Sequence, residues 1–222
     1  MKTNNICLPE KTHRCVLIAV TVMLACQICI GAQRPLSDCC LAYVTAAAQA
    51  GKADAQNELA WRYVQHGDTA QAELLYNEAA QQGYVPAQGK LGEMLLFHAQ
   101  SAIIGLKYNV KETIVSHAIA WLSLAANQGD KLAQADLAGL YLNGQFVKHD
   151  LVESYKWGEL AAQGTPSAPG SINGKSIRDA ASRKMSAAQI AEAKGRVAAF
   201  TPHVPAGSEL LKLKHRASNF EG

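Results

Sequence analysis

The sequence predicts an all-α chain built as a solenoid of stacked helix pairs, and three observations carry that prediction. A short phrase recurs at the seams between helical patterns: Gly51-Lys-Ala-Asp-Ala55-Gln56, Gly83-Tyr-Val-Pro-Ala87-Gln88 and Gly129-Asp-Lys-Leu-Ala133-Gln134. Each copy follows a pair of alanines (Ala47-Ala48, Ala79-Ala80, Ala125-Ala126) and precedes a leucine three residues on, at Leu59, Leu91 and Leu137. A phrase with a period of roughly 20–50 residues marks units that bury their apolar faces only against their neighbours. The hydrophobic fraction of 49% is rich in alanine, the best helix former and one that allows close helix approach.

The N-terminal segment reads as an export signal. Lys2, Lys11 and Arg14 face a single acid, Glu10, and the run from Cys15 to Ile30 is apolar except for Thr21 and Gln27. A basic start, an apolar middle and small residues at Gly31-Ala32 describe a secretory signal peptide over residues 1–32, with cleavage near Gly31 or Ala32. Left uncut, the same segment would be a membrane anchor, and Leu24-Ala25-Cys26 offers a weaker lipoprotein reading. Four of the six cysteines (Cys7, Cys15, Cys26, Cys29) lie before the expected cut. Cys39 and Cys40 remain. Adjacent cysteines on a helix point about a hundred degrees apart, so they read as two small helix residues, with an intermolecular bridge as the alternative.

Residues 33–164 form the expected array, a half-unit followed by three repeats. The half-unit opens with Ser37-Asp38 as an N-cap, and Leu41, Val44 and Ala48 follow at helical spacing. In the first repeat Ala55, Leu59, Ala60 and Tyr63 make one buried stripe. His66-Gly67-Asp68 then breaks the chain, with the glycine ending one helix and the aspartate capping the next, where Ala72, Leu75, Tyr76 and Ala79-Ala80 follow. The third repeat copies the plan with Ala133, Leu137, Ala138, Tyr141, Gly144, Asp150, Trp157 and Ala161-Ala162. Small residues recur at one place in each unit (Ala60, Gly92, Ala138), which lets paired helices come close. The middle repeat is longer, and its extra residues fall around 99–111, where Ile103, Ile104 and Leu106 favour packing over a solvated loop. Residues 165–175 read as a linker and 176–200 as a pair of capping helices. In that pair Ser186 and Gln189 form a capping box ahead of Ile190, Ala193, Val197 and Phe200. Residues 201–222 read as a flexible tail. It carries Leu210-Leu211 and the basic stretch Lys212 to Arg216, whose sharper reading is a docking segment.

The pattern Ala-x-Ala-Gln-x-x-Leu-Gly/Ala-x-x-Tyr-x-x-Gly, then Asp-x-x-x-Ala-x-x-Trp, then Ala-Ala-x-Gln-Gly resembles the Sel-one-like repeat, a relative of the tetratricopeptide repeat. The third unit matches through Ala133, Gln134, Leu137, Ala138, Tyr141, Gly144, Asp150, Trp157, Ala161, Ala162 and Gly164. The first has Leu75 in place of tryptophan. The second has Ile114 at the acidic position and Leu95 and His98 where Tyr and Gly would fall. The resemblance implies a right-handed superhelix of antiparallel pairs, with a concave face lined by the first helix of each pair. It implies an adaptor whose exported bacterial members bind cell-envelope, host or polysaccharide-machinery partners. Mapped onto this chain, the outward-facing first-helix positions are Glu58, Trp61, Arg62, Lys90, Glu93 and Asp136. Trp61 is the strongest single anchor, because tryptophan is enriched at binding hot spots, whereas Trp121 and Trp157 sit at the core position.

Composition narrows the function further. A net charge of +3 with interspersed signs does not make a nucleic-acid surface. His66, His98, His117, His149, His203 and His215 are isolated, so no metal-ligand spacing is present, and no cofactor is implied. There is no Ser-x-x-Lys, Gly-x-Ser-x-Gly or His-Glu-x-x-His, and Ser116-His117 are helix neighbours that do not face each other. The reading is therefore an exported, periplasmic or secreted, non-catalytic protein-interaction scaffold with no catalytic residue. The runner-up is an enzyme or ligand binder acting on cell-wall material or β-lactams, and a membrane-tethered scaffold follows if the N-terminal segment is retained.

Overall fold

The computed structural model describes residues 36–101, 108–163 and 171–204. Among these residues the regular structure is entirely α-helical: α1 (Leu36–Gln49), α2 (Ala53–Gln65), α3 (Thr69–Gln81), α4 (Val85–Ser101), α5 (Tyr108–Asn127), α6 (Lys131–Asn143), α7 (Leu151–Ala162), α8 (Ser171–Ser182) and α9 (Ala187–Ala198). The helices alternate with turns of a few residues, as helix pairs of a solenoid require. Contacts divide the chain into two compact units, residues up to Ala79 and residues from Ala80 onward.

In the first unit the core joins Ala47 and Ala48 of α1 to Ala55 and Leu59 of α2, with Val44, Tyr63 and Leu75 against it. Gly67 takes a φ of 80°, the left-handed region that glycine enters without a Cβ clash, and Asp68 caps α3 by accepting from the Gln71 amide at 3.1 Å. Gln56 is buried and donates to Glu78 at 2.7 Å. Ser37 and Asp38 do not cap α1 but lie within its first turn. The run Ala46-Ala47-Ala48 behind them favours helix strongly enough to carry it past their local preference for caps.

The second unit is built around Leu122, Ala125, Ala126, Ala133, Leu137, Ala138, Trp157 and Leu160. Trp121 and Trp157 are buried. Gly92 is needed where α4 meets α5, because a Cβ there would lie 2.7 Å from Leu122 Cγ and 3.0 Å from the Ala118 carbonyl. The repeated glutamine is a buried seam bond: Gln88 Nε2 donates to the Ala80 carbonyl at 3.3 Å and Gln134 Nε2 to the Ala126 carbonyl at 3.0 Å. Gln128 Nε2 donates to Gln88 Oε1 at 2.7 Å, linking residues 40 positions apart. The Gln88 and Gln134 side chains each add a second donor to a helix-end carbonyl, which also accepts from the Gly83 or Gly129 amide at 3.0 Å. At the next seam, Lys131 Nζ reaches the Leu160 carbonyl at 2.7 Å. Asp150 caps α7 by accepting from the Val152 and Glu153 amides at 2.9 and 3.0 Å.

The terminal pair stacks on α7. Val152 and Tyr155 pack with Ala181 and Ala193, and Arg178 bridges Glu159 at 2.8 Å. The expected linker is shorter than 165–175, since α8 begins at Ser171 and residues 164–170 lie outside the described residues. The extra turn places Gly174 against Gly158 of α7, and this close approach rewards continuing the helix. The Ser186–Gln189 capping box is present. Most of the expected insertion at 99–111 is helical, extending α4 to Ser101 and starting α5 at Tyr108, while Ile103, Ile104 and Leu106 fall outside the described residues. The end of the expected capping segment and the first residues of the expected tail are docked. Phe200 stands edge-on to Trp157 with centroids 5.8 Å apart, and the His203 amide donates to the Asn127 carbonyl at 2.8 Å. The rest of the tail, residues 205–222, and the expected signal segment lie outside the described residues.

Candidate functional site

Within the second unit one groove is lined by α4, α6 and α8, the first helices of the middle repeat, the third repeat and the terminal pair. Each contributes the same i, i+3, i+4 stripe: Glu93, Leu96 and Phe97; Asp136, Gly139 and Leu140; Asn173, Ser176 and Ile177. That spacing aligns side chains on one helix face, while Leu91 and Leu137 point into the core. The groove holds about 460 Å³, toward the small end of ligand pockets, with room for a few side chains. Gly139 removes side-chain bulk from the middle of the stripe, and Phe97 stands 64% exposed at its side.

Two carboxylates give this apolar groove its charge. Burial pushes the Asp136 carboxyl up to about 6; Glu93 adds to the rise, Lys90 opposes it and Asp130 adds a little more. Asp136 keeps the outward first-helix position read from the repeat pattern, and there it is partly buried and lines the groove. Glu93 is paired with Lys90 at 2.7 Å on the exposed face of α4. An exposed pair of this kind is worth about 0.2–1 kcal/mol, so Lys90 can leave Glu93 at little cost.

The other sequence-derived positions lie in the first unit. Trp61 and Arg62 border a separate hollow of about 510 Å³ together with Leu41, Thr45 and Gln65. Trp61 is 49% exposed, and Arg62 holds Glu58 at 3.0 Å along α2. The six positions thus divide, with Glu58, Trp61 and Arg62 in one unit and Lys90, Glu93 and Asp136 in the other. Sequence reasoning missed Leu96, Phe97, Leu140 and Ile177. Following the first-helix stripe one further turn from Glu93 would have reached Leu96 and Phe97.

The arrangement suits recognition. Its groove pairs apolar walls with anionic groups, which fits an aliphatic side chain next to a cation. Ser116 donates its hydroxyl to the Thr113 carbonyl at 2.8 Å and is exposed, whereas His117 is buried, so the two neighbours face apart. Among the described residues no three His, Cys, Asp or Glu side chains gather as a metal site, and no helix is long and apolar enough to cross a membrane.

Repeat, seam and first-helix groove define a repeat-built interaction scaffold, and comparison with known proteins gives the family. The Sel1 repeat model matches residues 53–84, 85–130 and 131–165, together more than half of the chain. The chain belongs to the Sel1 repeat family. It is also similar to an uncharacterized protein of Neisseria meningitidis serogroup B, 34% identical over 95 residues, which cover 43% of this chain and 17% of that protein. Among solved structures it is similar to c5321, a protective antigen present in uropathogenic Escherichia coli strains displaying an SLR fold. That match has a TM-score of 0.61 and 24% identity and covers 80% of this chain and 36% of that one. The chain therefore spans only part of either relative's length. The likeness establishes the fold, an all-α solenoid of Sel1 repeats.

Proposed function

We propose that this protein is an exported, non-catalytic adaptor that docks a protein partner on its first-helix faces. The carrying observation is the groove in which α4, α6 and α8 present the same stripe, with Phe97 exposed beside it and Glu93 and Asp136 in it. An extended helical surface gains affinity from a few aromatic and charged anchors. Phe97 in the second unit and Trp61 in the first supply the aromatic ones, and Glu93, Asp136, Glu58, Arg62 and Lys90 the charged ones.

Export rests on the N-terminal sequence, with its basic start, apolar run and small residues at Gly31-Ala32. It places the scaffold in the periplasm or outside the cell, where the partner is a cell-envelope or host protein. The intact mass of the protein recovered from the exported fraction tests this directly. A mass beginning at Ala32 or Gln33 supports export with cleavage, and one that retains Met1 in the membrane fraction makes the scaffold a tethered one.

The docking reading is tested by affinity capture from envelope or host-surface extract, with the full chain beside Phe97→Ala and a Trp61→Ala, Glu93→Ala double variant. One polypeptide retained by the native chain and lost by Phe97→Ala supports docking in the groove. Equal retention by all three chains would remove the first-helix faces from consideration.

A further inference from the structure

We propose that the groove lined by α4, α6 and α8 takes an extended segment of a partner protein, one that sets a lysine or arginine against Glu93 and Asp136 and an aliphatic residue on Leu96, Leu140 and Ile177. The proposal rests on the groove being a docking face and adds the chemistry of what docks there.

The charge of the groove is one-sided. Among the described residues that line it, the charged ones are Glu93 and Asp136, both anionic. Glu93 holds the Lys90 ammonium at 2.7 Å, so that cation is already engaged on the exposed side of α4. Asp136 has no such partner: among the described residues its carboxylate makes neither a hydrogen bond nor an ion pair. A carboxylate taken partly out of water without a cation is held there at a cost, and a cation brought to it offsets that cost. Gln100, Asn173 and Ser176 offer neutral acceptors to the arriving N–H groups in the same groove.

The walls select what accompanies the charge. Lysine and arginine lay an aliphatic stem along apolar surface while the charged head reaches past it, and the remaining apolar wall suits an aliphatic neighbour. The three helices are close neighbours. A Cβ added to Gly89 of α4 would lie 3.8 Å from Ala133 Cβ of α6, and one added to Gly139 of α6 would lie 3.8 Å from Ile177 Cδ1 of α8. Helices in such contact stand about 8–10 Å apart, so a segment crossing all three covers about 16–20 Å. About six extended residues span that distance, with alternate side chains facing the groove. An uncharged segment would meet the same walls and leave Asp136 unpaired, and an acidic one would be repelled by both carboxylates.

Selection of phage-displayed random peptides, about ten residues long and so able to cross the groove, tests this on the immobilised full chain. The native chain should enrich lysine and arginine about fivefold over the unselected library, with leucine, isoleucine or valine two positions away. Glu93→Gln combined with Asp136→Asn keeps the shape of the groove and removes its charge. That variant should return the basic residues to their starting frequency while retaining the aliphatic ones. Glu192→Gln on α9, outside the groove, should select as the native chain does. A native pool without a basic preference overturns the proposal. So does a basic preference that survives in the double variant, which would place the cation elsewhere on the surface. Apolar residues recurring at three- or four-residue spacing would overturn the extended geometry in favour of a helix. Partner capture remains a separate result. A partner lost with Phe97→Ala beside a pool without basic preference leaves the docking face standing and removes only its cation. A basic pool beside capture that ignores Phe97 removes the docking reading instead.

Discussion

Gly158 of α7 and Gly174 of α8 face each other so closely that a Cβ on Gly174 would sit 2.8 Å from the Gly158 carbonyl oxygen and 2.6 Å from Ala161 Cβ. Reciprocally, a Cβ on Gly158 would sit 2.9 Å from the Gly174 carbonyl oxygen. Backbone meets backbone at this crossing, so neither helix can yield by turning a side chain.

Gly174→Ala is therefore expected to destabilise the protein by about 1–3 kcal/mol through overpacking. Gly195→Ala on α9, where nothing lies within 4 Å of the added carbon, should instead stabilise by up to about 1 kcal/mol through helix propensity. Thermal unfolding of the two variants followed by circular dichroism should move in opposite directions.

The buried seam glutamine should matter more than its polarity suggests. Gln134→Ala removes one of two donors to the Ala126 carbonyl, which keeps the Gly129 amide at 3.0 Å, and it opens a small void where the buried side chain stood. A loss of about 1–2 kcal/mol is expected from the lost buried hydrogen bond and the cavity together, read from urea denaturation.

Asp136 carries a pH signature. In the folded chain burial pushes its carboxyl up to about 6, above the ordinary value of 3.8, so the folded state binds the proton more tightly. Its contribution is most favourable below about pH 4 and is lost as pH rises through about 6. Asp136→Asn should therefore stabilise the protein at pH 7.5 by about 1–2 kcal/mol, a figure reduced for the groove's contact with water, and give little gain at pH 4. Denaturation midpoints at the two pH values check the sign; equal gains at both would remove the assignment.

The tryptophans should separate cleanly. Trp157→Ala removes a ring packed against Phe200 and covered by the Lys156 ammonium 4.0 Å from its centroid, at a cost of about 3–5 kcal/mol. Trp61→Ala, on a half-exposed ring, should stay within about 0.5 kcal/mol of the native chain in the same melt.

Much of this was legible in the sequence, for reasons that particular residues make plain. Asp68, Asp150 and Ser186 announced their caps because a cap is a local bond between neighbours. Leu59 and Leu137 announced the core because burial recurs with the helical period, and Trp121 and Trp157 did so through the resemblance, which places them at the core position. Gly174 was read as a linker residue because it follows Asn173 at the end of a stretch rich in proline, serine and glycine; only the facing Gly158 reveals it as a contact. Ser37 and Asp38 suggested a cap because the alternative, a helix already under way, depends on the alanines downstream. How far Asp136 is buried was hidden for a similar reason. Its own helix leaves it on the outer stripe, and the helices on either side decide how much water it keeps.

The return of the chain after α9 to the turn between α5 and α6 bears on how such a protein can lengthen. A further unit duplicated after Ala162 would carry α8, α9, Phe200 and His203 away with it, stranding the Asn127 carbonyl and baring the face of Trp157. A unit added before α4 would disturb neither contact. The Phe200 and His203 contacts thus hold the end of the described chain to the middle repeat, and a unit inserted between α7 and α8 would have to break both.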